Sequence, residues 1–266
     1  MGIKIEHILE KGSGQLNEDS LVIGDNLFGV FDGASSLDTN VFMGGQTGGM
    51  IASHTASHEF SKNHFPLDQL GVRANNAIRT KMIDENLDMA QRYNLWSTSA
   101  AVIRIEDAGL EWFQTGDAHG LLFYNDGSFR ALADREDHDF ETLTMLKLEK
   151  FKFNAAIKDQ IKKVRSKMNR SYGVLNGEPE ALDFTQKGFE SLEDVTSILL
   201  FTDGLQLPST TPAQEKSFSR LAQKFKKDGL MGVKESIRKI ESQDPDIRRY
   251  PRFKCHDDIA AIAVHL

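Results

Sequence analysis

Cysteine is almost missing from this chain of 266 residues. The single one, Cys255, excludes an internal disulfide and a cysteine-built zinc site. Basic residues do not dominate either: 32 Lys and Arg stand against 39 Asp and Glu, a formal charge of −7. A broad cationic face for nucleic acid or an anionic membrane surface is therefore not expected. No uncharged apolar run is long enough to span a bilayer, and Lys4 and Glu6 stand where a signal peptide needs its apolar core. Met1-Gly2 opens like an acylation signal, but Glu6 occupies the position that requires Ser or Thr. A cytoplasmic protein without nucleic-acid or membrane partners is the expectation; oligomeric state is not legible.

Several catalytic signatures are also incomplete. His54 and His58 lack the intervening Glu of a zinc protease helix, and no Lys follows the glycines of Gly44-Gly45-Gln46-Thr47-Gly48-Gly49 as a P-loop demands. Close helix packing is the better use of those glycines. Gly12-Ser13-Gly14 lacks the third glycine and the following helix of a dinucleotide fingerprint.

What the chain does have is acids at the ends of apolar runs. Residues 27–31 run into Asp32-Gly33, and residues 196–202 run into Asp203-Gly204. Each reads as a buried strand delivering a carboxylate to the lip of a sheet, with a glycine turning the backbone away. Residues 21–23 and 27–31 flank Gly24-Asp25-Asn26, a hairpin signal. Antiparallel pairing there brings Glu18, Asp19 and Asp32 to one sheet edge.

Ile3, Ile5 and His7 alternate with charged neighbours as in a half-buried strand. A helix is expected near residues 48–64, with Ala52, Ala56 and Phe60 on one face. A second starts at Pro66, with Leu70, Ala74, Ala77, Ile78 and Met82 as its stripe. Strands at 99–105, 110–115, 120–124 and 129–133 read as one antiparallel meander, with Asp117 on the turn Gly116-Asp117-Ala118. Ile157, Ile161, Val164 and Met168 mark an amphipathic helix whose other face, Lys158, Lys162, Lys163 and Lys167, reads as solvated. A strand at 181–190 and helices at 213–225 and 233–240 follow. Residues 259–264 are apolar on both faces and read as a central strand entered from Asp257 and Asp258. Trp96 and Trp112 read as core. Segregated runs of strands and helices indicate an α+β fold of two antiparallel sheets with helices outside, and no linker divides the chain.

Collected, the edge acids are Glu18, Asp19, Asp32, Asp117, Asp203, Asp257 and Asp258. Each alone is an ordinary turn residue, but an all-oxygen set suits hard cations such as Mg²⁺ and Mn²⁺. Paired hard cations activate water and clamp a phosphoryl group, so the residue types favour metal-assisted phosphoester hydrolysis. An aspartyl-nucleophile phosphatase is disfavoured, because Ala34 stands where its second Asp belongs.

Taken in order, Asn17-Glu18-Asp19, Phe28-Gly29-Val30-Phe31-Asp32-Gly33, Ser97-Thr98-Ser99-Ala100, Thr115-Gly116-Asp117, Thr202-Asp203-Gly204 and Asp257-Asp258 resemble the metal-dependent protein phosphatases of the 2C type. The resemblance is to a bacterial-like single-domain member spanning 1–266, with a polar, basic insert or flap at about 135–170. It implies a β-sandwich flanked by pairs of helices, in αββα layers. It implies two Mg²⁺ or Mn²⁺ ions bridged by Asp32, one served also by Glu18 and the Gly33 carbonyl, the other by Asp203 and Asp257. Asp117 would serve a third, weaker ion, and Asp19 and Asp258 would stand behind the ligands. A metal-bridging hydroxide, oriented through Asp32 and Asp203, would attack phosphoserine or phosphothreonine of a protein substrate.

Two features depart from the pattern. Gly14 stands where an arginine commonly grips the phosphate, and Ala34-Ser35-Ser36 replaces a segment usually bearing two glycines. Arg170 is the expected substitute cation. The alternatives are a pseudophosphatase that binds a phosphorylated partner without turnover, and a phosphatase of small phosphorylated metabolites. His119, His138 and His256 lie near motif acids, and the Asp137-His138 pair reads as structural.

Overall fold

Two antiparallel sheets hold the apolar runs in register. The computed structural model describes residues 3–34, 41–134, 138–148, 154–211 and 218–266. The strands are β1 (Lys4–Glu10), β2 (Ser20–Ile23), β3 (Leu27–Ala34), β4 (Ser97–Glu106), β5 (Gly109–Thr115), β6 (His119–Tyr124), β7 (Phe129–Ala131), β8 (Gln186–Glu190), β9 (Val195–Phe201) and β10 (Ile259–His265). One sheet has the order β1-β10-β9-β6-β7 and the other β2-β3-β4-β5-β8. The inner faces meet in a core that includes Phe28, Val30, Ile103 and Trp112 from one sheet and Leu122, Ile198, Leu200 and Ile262 from the other. β10 is central as expected: Ala260, Ile262 and Val264 face the partner sheet, and Ala261 and Ala263 face the outer helix layer.

Helices α1 (Gly48–Ser61) and α2 (Leu67–Asp84) cover one outer face. Ala52, Ala56 and Phe60 of α1 and Leu70, Ala74, Ile78 and Met82 of α2 pack there with Phe31, Val102 and Phe113. Helices α3 (Phe140–Leu148) and α4 (Ala155–Arg165) pack on each other between the sheets' strand runs in sequence. The opposite outer face carries α5 (Ser219–Ser242), broken at Gly229, whose φ of +69° separates two helical segments. Leu221, Phe225, Leu230, Val233 and Ile237 bury its apolar stripe. The layers are thus αββα. Among the described residues, no helix is long and apolar enough to cross a membrane.

Three sequence expectations change. The meander is not one sheet: β4 pairs with β5 and β6 with β7, but β5 and β6 lie in different sheets. The expected strand at 181–190 begins as a 3₁₀ turn, Pro179–Phe184, and only Gln186–Glu190 is strand, since proline at the first turn favours helical backbone. Helix α3 carries little amphipathic signal and was not expected. Residues 213–217 of the expected helix at 213–225, like Ser35, Ser36 and Asp137, lie outside the described residues.

Of the glycines around the start of α1, Gly48 serves packing, whereas Gly44 and Gly45 meet nothing within 4 Å and take positive φ. A Cβ on Gly48 would collide with the indole of Trp96, a side chain with no exposed surface. Gly48→Ala is expected to cost about 2 kcal/mol through overpacking, read as a lowered midpoint in urea unfolding.

Candidate active site

All the predicted acids come from one end of the sandwich, because antiparallel neighbours present strand ends and strand starts to the same edge. Glu18 and Asp19 precede β2, Asp32 stands two residues before the end of β3, Asp203 follows β9, and Asp257 and Asp258 precede β10. Asp32 lies opposite Ser99 on β4. The Ser99 hydroxyl donates to Asp117 Oδ1 at 2.7 Å. Gly116, with φ of +70°, turns the chain out of β5 and into the other sheet, and so leaves Asp117 at the seam. That conformation favours glycine.

Gly33 does not turn the backbone away. β3 continues through Ala34, and a Cβ on Gly33 would strike the carbonyl oxygens of Gly49 and Glu18. The glycine allows three backbone segments to meet beside Asp32. On the same flank, the Thr47 hydroxyl caps α1 by accepting from the Met50 N–H at 3.2 Å and donates to Glu18 Oε1. Ser53 donates to the Glu18 carbonyl.

Two acids tie the edge together. Asp258, with 3 % of its surface exposed, accepts the Gly12 N–H at 2.7 Å on one oxygen and the Glu18 N–H at 3.0 Å on the other. Buried Asp19 accepts from the Thr202 hydroxyl at 2.7 Å, and Thr202 in turn accepts the Ala260 N–H at 3.0 Å. Asp258→Ala would orphan two backbone donors and is expected to destabilise the fold by about 2 kcal/mol, measurable by thermal unfolding.

The electrostatics record crowded negative charge. Burial, followed by the charges of Asp19, Asp117 and Asp257, pushes Asp32 well above the usual carboxylate range. Burial and then Asp32, Asp257 and Asp117 do the same to Asp203. Asp19 is raised by burial and by Asp257, Asp203 and Asp258, against the Thr202 hydrogen bond. Buried carboxylates that crowd in this way call for a cation, and their oxygens suit a hard divalent one.

Asp117 behaves differently. Burial acts to raise it, but the charge of His138, the Ser99 hydrogen bond and His119 prevail and hold it below the usual range. His138 Nε2 stands 3.7 Å from Asp117 Oδ2 and from Asp139 Oδ2, and its ring stacks on Tyr172 at 3.9 Å. Among the described residues, Asp117, His138 and Asp139 form a trio whose ligand atoms lie within 4.8 Å of one another. His119 meets Gln114 at 3.1 Å, and His256 meets Glu241 at 2.8 Å.

Arg170 is exposed on the turn after α4, its amide bonded to the Lys167 carbonyl. Sequence reasoning missed two other cations. Arg165 is buried, donates to the Tyr93 and Leu95 carbonyls at 2.8 and 2.9 Å, and has its charge in the field of Tyr172, Asp139 and Glu18. The signal was present: Ile157, Ile161 and Arg165 follow one helix face at a spacing of four. Lys254, whose Nζ is 2.8 Å from Asp257 Oδ1, had no such signal, since its loop has no periodicity.

Comparison with known proteins agrees with this geometry. The model of the protein phosphatase 2C family matches residues 10–240. The chain belongs to the protein phosphatase 2C family. It is therefore a metal-dependent protein phosphatase by class. The catalytic domain of the serine/threonine phosphatase PstP, in a complex with two manganese ions, superposes with a TM-score of 0.58 at 18 % identity, over 99 % of this chain and 97 % of that one. A structure of PstP/Ppp from Mycobacterium tuberculosis gives the same score and identity, over 99 % and 98 %. Stp1 from Staphylococcus aureus is similar at a TM-score of 0.59 and 14 % identity, covering 100 % of this chain and 96 % of Stp1. At these identities the structures speak for the fold. Among curated proteins no sequence matches.

Proposed function

We propose that this chain hydrolyses phosphoserine and phosphothreonine in proteins, using Mg²⁺ or Mn²⁺ held by Asp32, Glu18, the Gly33 carbonyl, Asp203 and Asp257. The observation that carries the reading is the run of buried acids whose pKa values burial and mutual repulsion push upward. Such a cluster opposes folding unless a cation occupies it. Two ions bound there would supply an activated water and offset charge on the phosphoryl group.

The chain's own residues do the rest. Asp32 is held in the ladder opposite Ser99, and Asp203 opens the 3₁₀ turn that follows the central strand β9. Asp258 and Asp19 hold the backbone at Gly12 and Glu18 and the Thr202 hydroxyl, so the ligands keep their spacing before any ion arrives. The described part of the segment 135–170 is tied to the acids through His138, which bridges Tyr172 and Asp117. Asp117, with His138 and Asp139 beside it, is the place for a third, weaker ion.

The test is phosphate release from a phosphoserine or phosphothreonine peptide and from a panel of small phosphoesters, with Mn²⁺ and with EDTA. Release that needs Mn²⁺ and favours the peptides supports the proposal. Preference for the small phosphoesters would assign a metabolite substrate, and peptide binding without release would assign a pseudophosphatase.

A further inference from the structure

The loop before β10 is heavily braced. Arg252 donates to the Asp244 carboxylate at 2.9 Å and to the carbonyls of Tyr250 and Cys255 at 3.0 Å each. Asp244 also accepts the backbone N–H groups of Arg248, Arg249 and Tyr250. Arg238 donates to the Asp257 carbonyl at 2.7 Å. On its far side, the loop is laced to the segment carrying Gly14: the Ser13 N–H donates to the His256 carbonyl at 2.8 Å, and the His256 N–H donates to the Ser13 hydroxyl at 3.2 Å.

This scaffold delivers one ammonium group to the acid cluster. Lys254 Nζ lies 2.8 Å from Asp257 Oδ1 and 3.9 Å from Asp258 Oδ2, and its charge is in the field of Asp32. Burial acts against that charge, but Asp257, Asp32 and Asp258 overcome it and hold the lysine well above its ordinary range. Asp257 Oδ1 accepts from the Asp258 N–H at 2.9 Å as well. The pair is only partly covered, with 36 % of the lysine and 31 % of the aspartate side chain exposed, so it can exchange partners.

We propose that Lys254 is a built-in counter-ion of Asp257 that competes with the second divalent ion, so that the two metal positions fill in sequence. The position served by Glu18, Asp32 and Gly33 loads first. The position served by Asp32, Asp203 and Asp257 loads only when Lys254 is displaced from the carboxylate. This rests on the metal-centre reading above. Its physical basis is like-charge repulsion: a dication cannot approach a carboxylate oxygen without meeting an ammonium group held on the same carboxylate.

The experiment is a Mn²⁺ titration of EDTA-stripped protein, followed by isothermal calorimetry and by the electron paramagnetic resonance signal of free Mn²⁺. Wild type, Lys254→Gln and Lys254→Arg are compared, with circular dichroism to confirm that each is folded. Wild type should show a tight and a weak Mn²⁺. Lys254→Gln should bind the second ion about tenfold more tightly, through loss of one partly exposed ion pair and of the repulsion. Lys254→Arg, which keeps the charge, should stay near wild type. Equal second-ion affinity in wild type and Lys254→Gln would overturn the competition while leaving the metal centre intact. Weaker binding in Lys254→Gln would also overturn it, by showing that the lysine only orients Asp257. If no variant binds Mn²⁺, the metal centre itself fails, and the competition with it.

Discussion

Asp32→Asn is expected to lower Mn²⁺-dependent phosphoester hydrolysis by a factor on the order of 10³ or more. The reason is position as well as chemistry. Asp32, like Asp203 and Asp19, is raised by burial and by several neighbouring carboxylates, here Asp19, Asp117 and Asp257, so it lies within their fields. An amide offers one neutral oxygen and cannot hold two cations. The same substitution should raise the stability of the metal-free protein, because it removes one of several crowded negative charges. About 1 kcal/mol, or roughly 3 °C in the melting temperature, is the expected gain. Steady-state kinetics on a phosphopeptide and calorimetric melts in EDTA would measure both. Wild-type turnover in Asp32→Asn would remove Asp32 from the metal centre. Lost turnover with lost stability would mean that the substitution had damaged the fold instead.

The second large effect concerns metal and pH together. Asp19, Asp32 and Asp203 all titrate higher in the folded chain than an ordinary carboxylate does. Groups shifted in this direction favour the folded state below the unfolded value of about 4, and that contribution is lost as pH rises through the folded values. Asp117, held below its usual range, acts in the opposite sense: its stabilisation is lost only as the solution becomes more acidic than about pH 4. The metal-free protein should therefore lose stability as pH rises above about 4, the unfolded value from which the three acids are raised. Saturating Mn²⁺ should restore it. At a hundred times its dissociation constant a ligand adds about 2.7 kcal/mol, and the restoration should be largest at the alkaline end, where the ligands are deprotonated. Melting scans at a series of pH values, in EDTA and in Mn²⁺, would show the two curves diverging with pH. Parallel curves would contradict the assignment of these acids to a cation site.

Much of this architecture was legible because it rests on local periodicity. The hairpin at Gly24-Asp25-Asn26 set Asp19 level with Asp32, and β2 and β3 pair in that register, Ser20 opposite Phe31. The apolar run at the C-terminal end had to be central, since no sheet edge could cover both of its faces, and β10 lies between β1 and β9. The stripes on α1 and α2 are buried where expected. The acids could be placed for the same reason: each closes or opens an apolar run, so strand ends locate them without any long-range information.

Most of the misses have the opposite cause; Arg165, on the face of Ile157 and Ile161, is the exception. Strands 110–115 and 120–124 read as neighbours because a short turn joins them, yet Gly116 carries the chain from one sheet to the other, a choice made by the packing of two faces. Gly33 read as a turn and is a point of close approach between three backbone segments. The cations near the acids, Arg165 and Lys254, come from a helix face and an irregular loop.

The sequence by itself determined most of the strands, which acids stand at or near strand ends, and the order of motifs that marks the family, because alternation and turn chemistry act over a few residues. Only the tertiary structure decided which sheet each strand joins, what Gly33 touches, and that Lys254 rests on Asp257. Those depend on contacts between segments far apart in the chain, where charge and close packing, rather than local pattern, choose the partner.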